Sequence, residues 1–289
     1  MRSILSLRTT VLPLLLLAAR PALPAPPESP AQAITLAQNQ ISDYLARLAD
    51  LHCTETVLQE KLGTNGHVTT SERQKFDYLI MMSGTADSFQ LNESRVDADS
   101  SRHKIVAAPM LVTNGVATIL LVFHPYYRDG FDFTTGAPVL INGRAAVPIH
   151  FTHIQGRRTP AALALRGREF PLDLEGTAWL DEDSRQVVQV EASLQHDMSD
   201  VGLRALDIHV DYAPHVIPGA ENSMFLPHQA VVDVTTPRQH WRNTHTFDGY
   251  KSFSTEVEQD PNVRVHTADD SSADHTGSNP PTQEAKPKQ

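Results

Sequence analysis

The chain has 289 residues, 40% of them hydrophobic, and a formal net charge of -10 at pH 7. That length supports one sizeable core. The acidic balance excludes a protein built to grip nucleic-acid phosphates, which need a basic footprint, and argues against tight adsorption to anionic headgroups.

Arg2 and Arg8 accompany the short apolar run from Val11 to Ala19, and a Pro- and Ala-rich segment follows. This is the pattern of a secretory signal, and the run is too short for a membrane span of about 20 residues. An uncleaved anchor is the alternative. Processing is expected near Ala25, although Pro26 follows it directly, or after Ala31-Gln32-Ala33, which has the small-x-small form but lies far from the apolar run. Residues 1–33 are therefore read as a signal peptide and processing region, and the expected location is periplasmic or secreted. The single cysteine, Cys53, cannot form an internal disulfide. It lies too far from the apolar run to be a lipobox cysteine, and it reads as a small buried hydrophobe.

Ile34, Ala37, Ile41, Leu45, Leu48 and Leu51 recur at spacings of three and four, which predicts an amphipathic helix with Gln38, Gln40, Asp43 and Arg47 on its polar side. The period then changes. Cys53 to Leu58, Phe76 to Met82, and Phe89 with Leu91 read as three strands, with a polar loop around Gly63 to Thr70. Asn114-Gly115 opens an apolar stretch, with Ile119, Leu120 and Phe123, that Pro125 stops. Periodicity alone leaves residues 114–125 open between helix and buried strand.

From Gly130 onward strands dominate. Asn142-Gly143 marks a hairpin turn between Val139–Ile141 and the alternation Val147, Ile149, Phe151. Trp179 and the acidic turn from Asp181 to Ser184 precede Val188, Val190, Ala192 and Leu194, predicting a second hairpin with one buried face. Further strands are expected around Leu206–Tyr212, Met224–Val234 and Trp241–Phe253. After residue 258 apolar side chains nearly vanish. The expected organisation is a single β-rich half-barrel domain over residues 34–258 and a disordered polar tail over 259–289, which cannot offset its ordering entropy by burial.

Few residue patterns along the chain carry recognisable chemistry. His150 and His153, and likewise His240 and His245, have spacings that place them on opposite strand faces. Asp207, His209 and Asp211 share a face and form the best metal candidate, but the solvent side of a strand explains them more simply, since zinc sites need three or four convergent ligands. Asp97-Ala98-Asp99 starts like a calcium loop, yet Arg102 and Ala108 stand where glycine and glutamate are required. No GxSxG, HExxH, P-loop or dinucleotide motif is present. No catalytic residue, metal ligand or cofactor is assigned. Glu55, Glu93 and Arg95 alternate with apolar residues. A polar spot in a cavity is one reading, and an exposed or edge face is preferred because charged residues are seldom fully buried.

The block Gly176-Thr177-Ala178-Trp179-Leu180-Asp181, followed by Arg185 to Glu191, resembles the tryptophan hairpin of bacterial outer-membrane lipoprotein-sorting proteins, the periplasmic lipoprotein carriers. Tyr212, Phe225-Leu226-Pro227 and Phe247-Asp248-Gly249-Tyr250-Lys251-Ser252-Phe253 look like that group's closing strands. The whole layout, Ile34 to Glu258, looks most like uncharacterised exported bacterial proteins distantly related to it. The resemblance implies a mainly β (α+β) fold: a strongly curved antiparallel sheet or half-open β-barrel with an N-terminal amphipathic helix and one or two further helices packed on the concave side. It carries no ligand-binding residue onto a position of this chain. The expected function is an exported soluble protein that binds or carries a lipid or acyl chain in an apolar cavity. The alternative is a non-catalytic structural or interaction module of the cell envelope whose core is filled by its own helices. A hydrolase with dispersed catalytic residues is the third.

Overall fold

The computed structural model describes residues 29–84, 89–97, 111–218 and 223–252. The apolar run from Val11 to Ala19, the calcium-like stretch after Asp97 and the polar residues 259–289 lie outside these residues. The first element is helix α1 (Pro30–Leu48). Its start is written in a capping box: the Ser29 hydroxyl accepts from the Gln32 amide at 3.3 Å, and the Gln32 side chain accepts from the Ser29 amide at 3.0 Å, with Pro30 as the first helical residue. The helix therefore begins upstream of Ile34, where the apolar stripe first becomes visible. Leu51, expected on that stripe, instead opens a strand.

Among the described residues thirteen strands follow: β1 (Leu51–Leu62), β2 (Val68–Gly84), β3 (Phe89–Asp97), β4 (Phe131–Thr135), β5 (Val139–Ile141), β6 (Arg144–His153), β7 (Ala162–Leu165), β8 (Arg168–Pro171), β9 (Leu174–Asp181), β10 (Val187–Leu194), β11 (Ala205–His215), β12 (Met224–Thr235) and β13 (His240–Ser252). All but β7 and β8 belong to one antiparallel sheet ordered β3-β2-β1-β13-β12-β11-β10-β9-β6-β4, with β5 paired to β6. The sheet is curved and does not close into a barrel, so β3 forms one edge and β4 with β5 the other. The pairing of β1 with β13, in which Glu55 faces Phe247 and Gln59 faces Asn243, joins the first strand to the last.

The turns follow their residues. Asn142 and Gly143 take φ values of 50° and 80° between β5 and β6, the positive pair that a two-residue hairpin turn requires. Between β9 and β10 the buried Asp181 carboxylate accepts from both the amide and the hydroxyl of Ser184 at 2.8 Å and from Arg144 at 2.7 Å. These bonds, chiefly the one from Arg144, pull its pKa down to about 2. Gly176 in β9 could not be any other residue: a Cβ there would lie 2.1 Å from the Glu191 carbonyl oxygen and 2.5 Å from the Phe151 ring. The small hairpin β7–β8 has no counterpart in the sequence reading, because Ala162–Leu165 and Arg168–Pro171 bury little and so carry no strong alternation.

Residues 114–125 resolve as a 3-10 segment, Val116–Phe123, in which all eight residues are buried. It starts after Gly115, whose φ of 74° makes the turn, and departs from helical geometry at Thr118. This segment, called the plug below, packs with α1 on the concave face of the sheet. Leu120, Val122 and Phe123 of the plug meet Ile41, Leu45 and Leu48 of α1 within one contiguous core that includes Phe151, Leu174, Val190, Val210, Leu226 and Phe247. Fully burying each such aliphatic or aromatic side chain contributes about 1.5–3 kcal/mol.

Candidate functional site: a polar clamp on an apolar plug

Strand alternation decides which side chains reach the concave face. In β1 it sends Cys53, Glu55, Val57 and Gln59 inward, and in β13 it sends Trp241, Asn243, His245 and Phe247 inward. Tyr78 of β2 faces Arg95 of β3, and Ile80 faces Glu93. The result is a group of polar side chains inside an otherwise apolar surface. Glu55 and Asn243 are 0% exposed and His245 1%.

The group is fully knitted at its centre. Arg95 donates from Nε to Glu55 Oε2 at 2.5 Å and from Nη2 to Glu55 Oε1 at 2.9 Å, a bidentate pair. His245 Nδ1 lies 2.7 Å from Glu55 Oε1. A carboxylate only accepts, so Nδ1 carries a proton. The Tyr78 hydroxyl donates to Glu93 Oε1 at 2.6 Å, and Arg95 also lies over the Tyr78 ring. Burial pushes the Glu55 carboxyl up, but the hydrogen bonds from His245 and Arg95 outweigh it and hold the group below its ordinary range. Burial and the neighbouring Glu93 raise the Tyr78 hydroxyl well above its ordinary value.

What this group grips is the run Leu111 to Gly115, which delivers the chain into the plug. The Leu111 carbonyl accepts from Gln59 Nε2 and Asn243 Nδ2, each at 2.8 Å. Asn243 Nδ2 also donates to the Thr113 hydroxyl at 3.1 Å, and that hydroxyl lies 2.7 Å from His245 Nε2. Arg95 Nη1 donates to Asn114 Oδ1, and the Gly115 amide donates to Glu93 Oε2 at 3.0 Å. Five side chains from β1, β3 and β13 thus hold one five-residue stretch.

The clamp corrects the preferred reading of Glu55, Glu93 and Arg95. They are inward-facing, and Glu55 is wholly buried. Its burial is tolerated because Arg95 and His245 supply partners that an isolated carboxylate would lack. Tyr78, Gln59, Thr113, Asn114, Asn243 and His245 were not expected in any site. The parity of β13 does contain a signal for two of them, since Asn243 and His245 stand in step with Trp241 and Phe247.

Glu55, His245 and Thr113 fall in the order carboxylate, imidazole, hydroxyl. That order alone does not make a catalytic relay. Arg95 already neutralises Glu55, Thr113 is tied to Asn243, and the Gly115 amide that could steady an oxyanion is engaged by Glu93. The chemistry this arrangement supplies is attachment.

The opposite face of the sheet carries a cavity of about 560 Å³ across β6 and β9–β12, lined by polar groups that include His150, Glu175, Glu191, Asp207, His209 and Asp233. Asp207, His209 and Asp211 do share this face. His209 lies 3.2 Å from Glu191 and 3.1 Å from Asp211, which is the hydrogen bonding of a solvent-facing strand. Among the described residues no group of three His, Cys, Asp or Glu is placed to hold a metal ion. His150 and His153 point to opposite faces: His150 is exposed near Thr177, and His153 is buried against Asp173. His245 is buried while His240 meets Asp233. Cys53 is buried, and burial followed by the Glu55 charge pushes its thiol up to about 12, so it behaves as an inert hydrophobe.

The fold and site define a large, open, curved antiparallel sheet whose concave face is covered by one helix and one clamped apolar segment. Among the described residues no helix is long and apolar enough to cross a membrane. No protein-family model matches the sequence, and neither does any curated protein. Solved structures similar to it include a DUF1329-family protein from Desulfovibrio piger, at 9% identity over 76% of this chain and 93% of that one with a TM-score of 0.42. A putative outer-membrane lipoprotein-sorting protein domain from Vibrio parahaemolyticus matches at 8% identity over 76% and 91% with a TM-score of 0.38. A LolA-superfamily protein from Nitrosomonas europaea matches at 9% identity over 78% and 94% with a TM-score of 0.37. The Vibrio parahaemolyticus domain bears the name of the group that the tryptophan hairpin resembles.

Proposed function

We propose that the protein is an exported, non-catalytic binding protein that takes up a lipid or acyl chain on the concave face of its sheet, with the plug giving way to the ligand. The observation that carries this reading is the way the plug is attached. It is buried along its whole length, yet it belongs to no strand ladder and is held through polar contacts on the run that precedes it. Short 3-10 structure has poorer hydrogen-bond geometry than an α-helix. Beyond that polar anchor the segment itself is covered by apolar contact, which an acyl chain of similar area could replace.

Export fits the same reading. Cleavage near Ala25 would leave the Ser29–Gln32 capping box intact, whereas cleavage after Ala33 would remove the cap and first turn of α1. This favours the upstream position and a domain that begins near Ser29 and continues toward residue 258, ahead of a polar tail over 259–289. An envelope protein that delivers or receives the ligand would be the natural partner.

The second reading is a self-filled interaction module. It is favoured by Leu120, Val122 and Phe123, which are already 0% exposed without any ligand. Native mass spectrometry after gentle extraction separates the two. Co-purifying lipid, or uptake of a lipid from vesicles, supports the carrier. Protein that stays ligand-free in both experiments supports the self-filled module.

A further inference from the structure

The concave face holds a second polar feature, made of tyrosines. Tyr44 of α1 and Tyr212 of β11 meet edge to face with ring centroids 6.2 Å apart. Both are buried, at 7% and 6% exposure, and neither hydroxyl has a hydrogen-bonding partner among the described residues. A buried donor without an acceptor costs free energy and is rare in folded proteins. Their neighbour Tyr250 differs: its hydroxyl donates to the Pro227 carbonyl at 2.7 Å. The β11–β12 register places Tyr212 opposite that same Pro227. Two free donors and one satisfied donor thus sit together, and the two free ones are on α1 and β11, which both pack against the plug.

The chemistry of the pair restricts what it could accept. Burial raises the pKa of both hydroxyls, so each remains a neutral O–H donor at any physiological pH. The charged side chain acting on Tyr44 is Arg47, on the exposed side of α1, and Glu55 and Asp248 act on the neighbouring Cys53. None of these is a buried cation that could neutralise a carboxylate or phosphate placed between the rings, and taking an unpaired anion out of water is costly. A neutral acceptor with lone pairs fits instead.

We infer that Tyr44 and Tyr212 form a recognition subsite for the carbonyl of an ester- or amide-linked acyl chain, whose hydrocarbon tail takes the plug's place along the concave face. This rests on the ligand-binding reading above and narrows it: the ligand is an acylated molecule read at its linkage, distinguished both from plain hydrocarbon and from free fatty acid.

The test compares three probes of matched chain length, monooleoylglycerol, oleate and 1-octadecene, on the wild-type protein and on Tyr44→Phe, Tyr212→Phe and the double variant. Native mass spectrometry and a fluorescent-lipid displacement assay supply the affinities, and thermal unfolding checks that each variant is folded. The expected result is a preference of wild type for the glycerol ester over both other probes. Each Tyr→Phe change should weaken ester binding by up to about tenfold, the worth of one buried hydrogen bond, and the double variant should bind ester and hydrocarbon alike. Retention of the ester preference by the double variant overturns the subsite, as does a wild-type preference for oleate. If wild type binds the ester and the hydrocarbon equally, the subsite falls while the carrier reading stands. If it binds none of the probes, both fall.

Discussion

The two ends of one sheet treat their inner faces differently. Across β9 to β12 the concave side is aliphatic and small: Ala178, Leu180, Val190, Ala192, Val210, Ala230 and Val232 pack directly on the core. Across β3, β2, β1 and β13 the same side carries Glu93, Arg95, Tyr78, Glu55, Gln59, Asn243 and His245. The aliphatic half is stabilised mainly by burial, with the Tyr212 hydroxyl as a polar exception on its inner face. The polar half specifies one partner, the run from Leu111 to Gly115. Knitted polar groups are thus concentrated where a particular piece of chain must be held.

The largest change to that contrast should come from Glu55→Gln. It leaves Arg95 without its buried counter-ion and His245 without its carboxylate, and breaking a buried pair costs about 3–5 kcal/mol. Urea denaturation should show the loss, and a fall below about 1 kcal/mol would mean that the clamp contributes nothing specific. Next is Leu120→Ala in the plug set against Leu174→Ala in β9, both wholly buried leucines. Each should cost roughly 2–5 kcal/mol through lost contacts and cavity. The plug variant should in addition bind an apolar dye more tightly than wild type, whereas the β9 variant should not. Equal dye binding by the two would remove the case for a displaceable plug.

Smaller effects sharpen the picture. Tyr212→Phe deletes a buried hydroxyl that lacks a partner, so stability should rise by about 1 kcal/mol or stay level. A clear loss would mean that the hydroxyl is satisfied within the fold. Acidification separates two carboxylates. Both Asp181 and Glu55 have folded-state pKa values below their ordinary ones. The stability they supply is therefore present above the ordinary carboxylate range and is lost as pH falls through the folded values. For Asp181 that window runs from about 4 down to about 2. Arg144→Ala removes the strongest cause of its shift, and carbon-detected NMR titration should find the Asp181 carboxyl moved back toward 3.8. An unchanged titration would mean that the Ser184 hydrogen bonds alone hold it down.

Much of the frame was legible along the chain. The stripe from Ile34 to Leu48 required a helix, Asn142-Gly143 required a tight hairpin, and the alternation on either side of Asp181–Ser184 required the pair β9–β10. The solvent-facing side of β11, with Asp207, His209 and Asp211, was readable from Leu206, Ile208, Val210 and Tyr212 opposite. Each of these depends on contacts within a few residues, which periodicity and turn chemistry encode directly.

The site was not legible in that way. Glu55 and His245 are 190 positions apart, and Thr113 is 132 from His245. Whether Glu55 is an exposed edge charge or a satisfied buried one depends on strand order, which brings β13 beside β1 and β3 one strand beyond β2. The same holds for Val116–Phe123: its sequence required burial, but only the space left between α1 and the sheet decided that it would be a 3-10 plug instead of a strand. Sequence by itself determined which residues leave water and with what local period. Tertiary structure decided which of them meet, because free energy of burial is set by composition, whereas hydrogen bonds and ion pairs are set by distance.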